Sequence, residues 1–454
     1  MRTIRLPPEI ILRVIELLRD DIRTLRSALL VDRLWSAEAI RWLWQKPPVT
    51  ALASIQVDRR QLYARHIREL DFANYNEGDL HSLYRSLNFP RLKTLTIDHL
   101  TPPGGEKVYT EQYVQSALEE IRFYGEDPAE DLLSLLQSRC PRLRKVLIDF
   151  PFEGISSERL ITLFESREWL TTVSFPAGMN GIIDEKLFSY LVRRHGIEEL
   201  EVGKLVTLDM FRTALDCDRK PLKDIRYLDL LIEVEVLQPL VAAIVETITH
   251  LEIEIEDDMD WGCPLPHLST LTNLQLLELR VFPAPIWRGT DFIALQKLKH
   301  LQTLEISSTD FEDVLSAPTL TDELFVQFIS HLPYLRELTF LVSCVLSTRA
   351  ITALGQHCRR LSYCALLGTF NLHTWAESDR PLFPVLQNLH LDAAVDEGPG
   401  SDINSTPSSR ADAIARLVIE HAPHLDRLHL HDGNEFSMKV VEAFKNHAGV
   451  QYTT

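Results

Sequence analysis

The sequence predicts an α/β chain: a short three-helix unit followed by a solenoid, with parallel strands on a concave face and helices on the convex one. Three observations carry this. An apolar motif, L-x-x-[LIV]-x-[LIVF], starts at Ile67, Leu92, Leu118, Leu143, Leu170, Ile197, Ile225, Ile248, Leu274, Leu301, Leu335, Leu361, Leu386 and Leu425. Eleven of its thirteen intervals span 23 to 28 residues, and it is this even spacing that marks a repeat array. Amphipathic stretches of helical period fill the intervals, so each period reads as one strand and one helix.

The helical unit comes first, over residues 1–48. Leu6-Pro7-Pro8-Glu9-Ile10 opens a helix. Proline is tolerated in a first turn because its missing N–H would have no partner there, and Glu9 suits the positive end of the helix dipole. Ile10, Ile11, Val14, Ile15, Leu17 and Leu18 recur near the helical period, and Asp20-Asp21 interrupts them. A second helix is expected near 22–31 (Leu25, Ala28, Leu29) and a third over 35–44. The third must stop before Pro47-Pro48, since the residue before proline avoids the helical region. Three helices in about 45 residues make too small a core to stand alone.

This stretch resembles the F-box. The residues that carry the resemblance are Leu6-Pro7-x-Glu9-Ile10, the Ile15/Leu18 pair, Leu29-Leu30-Val31-x-x-x-Trp35 and Leu43-Trp44, about a tenth of the chain. Asp32 departs from the small residue or cysteine frequent in the family. The resemblance implies that Leu6, Pro7, Glu9, Ile10, Ile15, Leu18 and Trp35 help dock the Skp adaptor of cullin–RING ubiquitin ligases. Ile15 and Leu18 also lie on the helical stripe, so they fit packing of the helices as well as an interface. Leu6 and Pro7 lie outside that stripe.

The array over 49–454 holds about 14 repeats. Its spacer helices are expected over 157–166, 184–194, 321–330 and 411–421, several behind a capping residue: Ser156 or Ser157, Asp184, Thr321, Ser347. A last helix spans 436–446, followed by a closing strand at Val450-Gln451-Tyr452. The two long intervals need insertions, near 307–319 (with Asp310, Glu312 and Asp313) and near 393–409, the latter rich in turn-forming residues. A strand and helix every 26 or so residues resembles the leucine-rich repeat. Cys140-Pro141-Arg142-Leu143 and Cys358-Arg359-Arg360-Leu361 resemble its cysteine-containing subclass, which accompanies F-boxes, although the strand-exit asparagine of that subclass is largely absent. The divergence of the repeats resembles fungal members. No single repeat can bury its apolar face alone, so neighbours stack into one core. Fourteen strands about 4.8 Å apart give an inner arc of roughly 60 Å, a protein-sized groove.

Composition narrows the partners. The net charge of −18 argues against nucleic acid and anionic membranes and suits a basic partner. Six cysteines (Cys140, Cys217, Cys263, Cys344, Cys358, Cys364) without CxxC pairs read as reduced thiols in a cytoplasmic or nuclear protein, most simply buried as small apolar groups. The opening residues, broken by Arg2, Arg5, Glu9, Arg13 and Glu16, do not read as a signal peptide, and no run suits a membrane span.

No catalytic motif appears (no GxGxxG, GxxxxGK[ST], HExxH or GxSxG), so an enzyme is not expected and no cofactor is assigned. The expected binding surface is the concave face. There Glu201, Asp229, Glu252, Glu254, Glu278 and Glu305 should stack across neighbouring strands, either as a solvated acidic face or as a groove for a basic segment. In the Cys140 rung, Lys145, Leu147 and Asp149 should face the groove and break the acidic trend. His390, Asp392, His429 and His431 share a face near the C-terminal end, and read as solvated histidines rather than a zinc site. Together these features imply the substrate-recognition subunit of an SCF-type E3 ubiquitin ligase. The alternative is a non-catalytic leucine-rich-repeat scaffold outside ubiquitination.

Overall fold

The computed structural model describes residues 6–72, 79–98, 108–125, 128–216, 220–257, 261–310, 313–378, 381–395, 407–431 and 434–448. Cys217, Glu312, residues 396–406 of the second insertion and the closing strand expected at 450–452 lie outside them. The chain falls into two compact units, Met1–Lys204 and Leu205–Thr454.

The first unit opens with α1 (Pro8–Leu17), α2 (Ile22–Ala28) and α3 (Arg33–Leu43). Their small core is Ile11, Ile15, Leu25, Ala28 and Ala39, with Leu18, Leu29, Trp35, Trp42 and Leu43 packed against it. Asp21 caps α2 by accepting from the Thr24 N–H, and Asp32 caps α3 by accepting from the N–H groups of Leu34 and Trp35. The Asp32 departure is thus a helix cap. After α4 (Val57–Ala64) come β1 (Glu69–Phe72), α5 (Asp79–Tyr84), β2 (Thr94–Ile97), β3 (Glu120–Phe123), α6 (Leu132–Arg139), β4 (Lys145–Ile148), α7 (Ser157–Glu165), β5 (Thr172–Phe175), α8 (Glu185–Arg193) and β6 (Glu199–Val206).

The helical unit is tied into the ladder. The Gln45 carbonyl accepts from the N–H groups of Arg68 (2.8 Å) and Glu69 (3.0 Å) at the entry of β1. The same fork then repeats rung by rung: Arg68 accepts from Lys93 and Thr94, Lys93 from Glu119 and Glu120, and Glu119 from Arg144 and Lys145. Gln45 therefore occupies the place that a strand-entry residue would hold one rung earlier.

The second unit contains α9 (Leu208–Leu215), β7 (Tyr227–Ile232), α10 (Leu237–Ile244), β8 (His250–Glu256), α11 (Leu265–Leu268), β9 (Leu276–Phe282), β10 (Thr303–Ser308), α12 (Asp322–Ile329), β11 (Glu337–Phe340), α13 (Thr348–His357), β12 (Tyr363–Phe370), β13 (Asn388–Ala394), α14 (Pro407–His421), β14 (Arg427–Leu430) and α15 (Glu435–Ala448). Between β9 and β10 the spacer is a 3-10 helix, Gly289–Lys297.

Within each unit the strands pair in parallel with their sequence neighbours. Each of the fourteen begins two residues after its motif start, including those after Leu118 and Leu361. The motif residues are the core: Leu143, Val146 and Ile148 are 0–1% exposed, as are Leu274, Leu277 and Leu279. Helices pack on that buried side, as when the Phe325 and Phe328 rings of α12 meet Phe340 of β11 at 5.6 and 6.3 Å. The other side of the strands is left open, giving the alternating burial of β7 and β8.

Ser156, Asp184 and Ser347 cap their helices through side-chain oxygens, whereas Thr321 stands at the N-cap without a side-chain bond. The insertion at 307–319 adds its own short ladder, in which Ser316 bridges in parallel to Ile286 and to Ser343. Cys140 and Cys358 are more than apolar fillers. Their thiols donate to the carbonyls of Gln115 (3.3 Å) and Leu332 (3.5 Å), one rung back. Burial pushes both thiols up to about 12. Among the described residues no helix is long and apolar enough to cross a membrane.

Candidate functional site

Two surfaces stand out. The first is the outside of α1–α3. A helix buries one stripe, here Ile11 and Ile15. Ile15 is fully buried, so it holds the helices together and presents nothing to a partner, contrary to the docking role expected of it; the half-buried Leu18 and Trp35 also pack on this core. By contrast Leu6 (45%), Ile10 (48%), Leu17 (70%), Leu30 (89%) and Val31 (60%) are exposed, as are Pro7 and Glu9. The sequence reading missed Leu17, Leu30 and Val31 as surface residues. At about 100° per residue Leu17 falls roughly 120° from Ile11 and 160° from Ile15, on the side of the helix away from their stripe, a signal that was available. These five exposed apolar side chains thus sit on one small unit that has its own core.

The second surface is the open face of the strands in the second unit. Register places Asp229 beside Glu252, Glu252 beside Glu278, and Glu278 beside Glu305. The expected acidic row is thus assembled on β7–β10. It is not purely acidic. Glu254 faces Arg280 across β8 and β9, and Arg280 lies between carboxylates, 2.9 Å from Glu278 and 3.3 Å from Glu305. Tyr227 Oη donates to Glu252 (2.8 Å) and Ser307 Oγ to Glu305 (3.2 Å).

Burial first, then repulsion from Glu252 and Glu305, raises the Glu278 carboxyl from 4.5 to about 7, with Arg280 opposing and Glu337 adding. Burial also raises Glu254, with Arg280 opposing. A carboxyl whose folded pKa is raised stabilises the fold most at low pH, and that contribution fades as pH rises from 4.5 towards 7. Glu278→Gln is therefore expected to raise the melting temperature above pH 7 and to leave it unchanged near pH 4.5; a melting series over that range checks it.

In the first unit Glu201 accepts from Ser174 Oγ, and Glu199 takes Lys145 (3.1 Å) and Thr172 (2.8 Å). Lys145, Leu147 and Asp149 are half-buried, the first two at the open-face positions of β4 and Asp149 just past its end. Burial, then Asp98, raises the Asp149 carboxyl.

At the far end of the second unit, His390 and His429 are register partners on β13 and β14. Their rings stack at 4.5 Å and 16°, and His431 lies 5.8 Å from His390 at 23°. Parallel rings set their nitrogens side by side rather than towards one point. Among the described residues no group of three or more His, Cys, Asp or Glu is arranged to hold a metal ion.

No family model matches the chain, and no curated protein matches it. Solved structures resemble it at low identity. A chain of the yeast Rad7–Elc1 complex is 14% identical, over 91% of this chain and 90% of that one, with a TM-score of 0.41. An internalin, InlF, from Listeria monocytogenes is 16% identical over 84% and 86%, with a TM-score of 0.39. The leucine-rich repeat-containing protein LegL7 from Legionella pneumophila is 10% identical over 74% and 98%, with a TM-score of 0.30. Likenesses of this size carry no argument by themselves. The leucine-rich-repeat assignment rests on the ladder, with its constant register and buried motif residues.

Proposed function

We propose that the chain is the substrate-recognition subunit of an SCF-type cullin–RING ubiquitin ligase. Helices α1–α3 dock the Skp adaptor, and the open strand face holds a target protein. The observation that supports this best is the exposed apolar set Leu6, Ile10, Leu17, Leu30 and Val31, on a unit that already has its own core. The chain contributes no chemistry in this reading. It raises the effective concentration of the target near a ligase held by other subunits. The carboxylate row on β7–β10 favours a basic segment of the target, because its charge is concentrated on one open face.

Co-purification tests the docking half. Leu6→Ala, Pro7→Ala and Ile10→Ala combined are expected to remove both adaptor and cullin from the isolated complex, with the melting temperature within about 1 °C because these side chains are exposed. Retention of other partners without any cullin in the wild-type complex would instead identify a scaffold outside ubiquitination.

A further inference from the structure

We propose that the stacked imidazoles of His390, His429 and His431 form an acid-operated latch that holds the last rung, β14 with α15, onto the second unit. The stack crosses one strand junction. His390 projects from β13, and its ring lies between Tyr363 of β12 (centroids 5.3 Å apart) and His429 of β14 (4.5 Å). His431, two residues along β14, lies parallel to both histidines, 5.8 and 6.4 Å away. Neutral rings at these separations and near-parallel planes attract one another and contribute to the junction. Protonated rings 4.5 Å apart repel, and the repulsion falls on an edge strand whose helix α15 is otherwise held by the Ser437 hydroxyl accepting from the Ala394 N–H and by the His447–Asp412 pair to α14. β14 has four residues, and among the described strands it pairs only with β13.

The charged groups around the stack reinforce this. Arg427, on the same open side of β14, and Lys445 of α15 both oppose a further positive charge. Asp392 of β13 is the carboxylate of the cluster that would favour one. The net result follows the cations: burial first, then His429, His431 and Arg427, bring His390 down to about 4 from 6.5, and burial with His431, Arg427 and Lys445 lowers His429. A histidine held below its ordinary value stabilises the fold above pH 6.5 and loses that contribution as pH falls towards 4. The loss is local because rungs contact mainly their neighbours.

Amide exchange in the full-length chain, corrected for intrinsic rates, tests the latch. Between pH 7.5 and 4.5 the amides of β14 and α15 should lose at least tenfold in protection relative to β2 and β3, which lie away from the raised carboxyls of β8 and β9. The variant His390→Phe/His429→Phe keeps two flat rings without a titrating group, and should abolish that relative loss. The idea is overturned if β14 tracks β2 and β3, or if the variant opens as the wild type does. Should the double substitution fail to fold, the His390 ring titration by NMR in the wild type decides: a midpoint below 5 supports the latch, and any higher midpoint overturns it.

Discussion

Gly289→Ala is expected to destabilise the second unit by about 3 kcal/mol, lowering its melting temperature by roughly 10 °C. A Cβ at this position would stand 2.4 Å from the Thr319 carbonyl oxygen and 2.5 Å from the Leu320 Cα. Those atoms are main chain, so no side chain can rotate aside to make room. Gly289 also donates its N–H to Thr319 Oγ1 at 2.8 Å, and this bond sets how closely the two segments approach. Gly262→Ala is the matched control, because nothing lies within 4 Å of its Cβ. Calorimetry on both variants checks the expectation, and equal melting temperatures would sink it.

Reversing the acidic row is expected to have the largest effect on binding. Glu252→Lys, Glu278→Lys and Glu305→Lys together put three ammonium groups on neighbouring strands beside Arg280. Binding of an arginine-rich peptide should weaken on the order of 100-fold at low salt, and less so at high salt, since such surfaces act over about a Debye length. Fluorescence anisotropy at two ionic strengths measures this, with far-UV circular dichroism to confirm folding. The milder triple change to glutamine should give an intermediate loss. A peptide that binds wild type and triple lysine variant alike would refute the basic-partner reading.

The ladder was legible because one physical rule writes it. A strand buried on one side must place apolar residues at fixed offsets, and a repeat must bury them at every period. Leu361, where Cys364 stands at the second apolar position of the motif, therefore starts a strand like the rest. The surfaces were less legible. Ile10 and Ile15 are the same residue type one turn and a fraction apart, yet one is exposed and the other is core; composition alone cannot separate them when a short helix has apolar groups on two sides. Arg280 was passed over for a different reason. It occupies the column of Glu254, six residues past its motif start, but a search by sign of charge collects only the anions. Thr321 shows the limit of capping rules: the right residue stands at the right place, and its hydroxyl bonds the Glu323 carboxylate instead of a backbone N–H.

The thiol contacts of Cys140 and Cys358 have a kinetic consequence. Each sulfur is buried, protonated at neutral pH and tied to a carbonyl one rung back, so an alkylating reagent can reach it only when that junction breathes open. The two rungs lie in different units, so their labelling rates would report two separate opening events within one molecule. The array thus carries its own pair of chemical clocks, and a target that clamps one region of the strands would slow one clock and leave the other running.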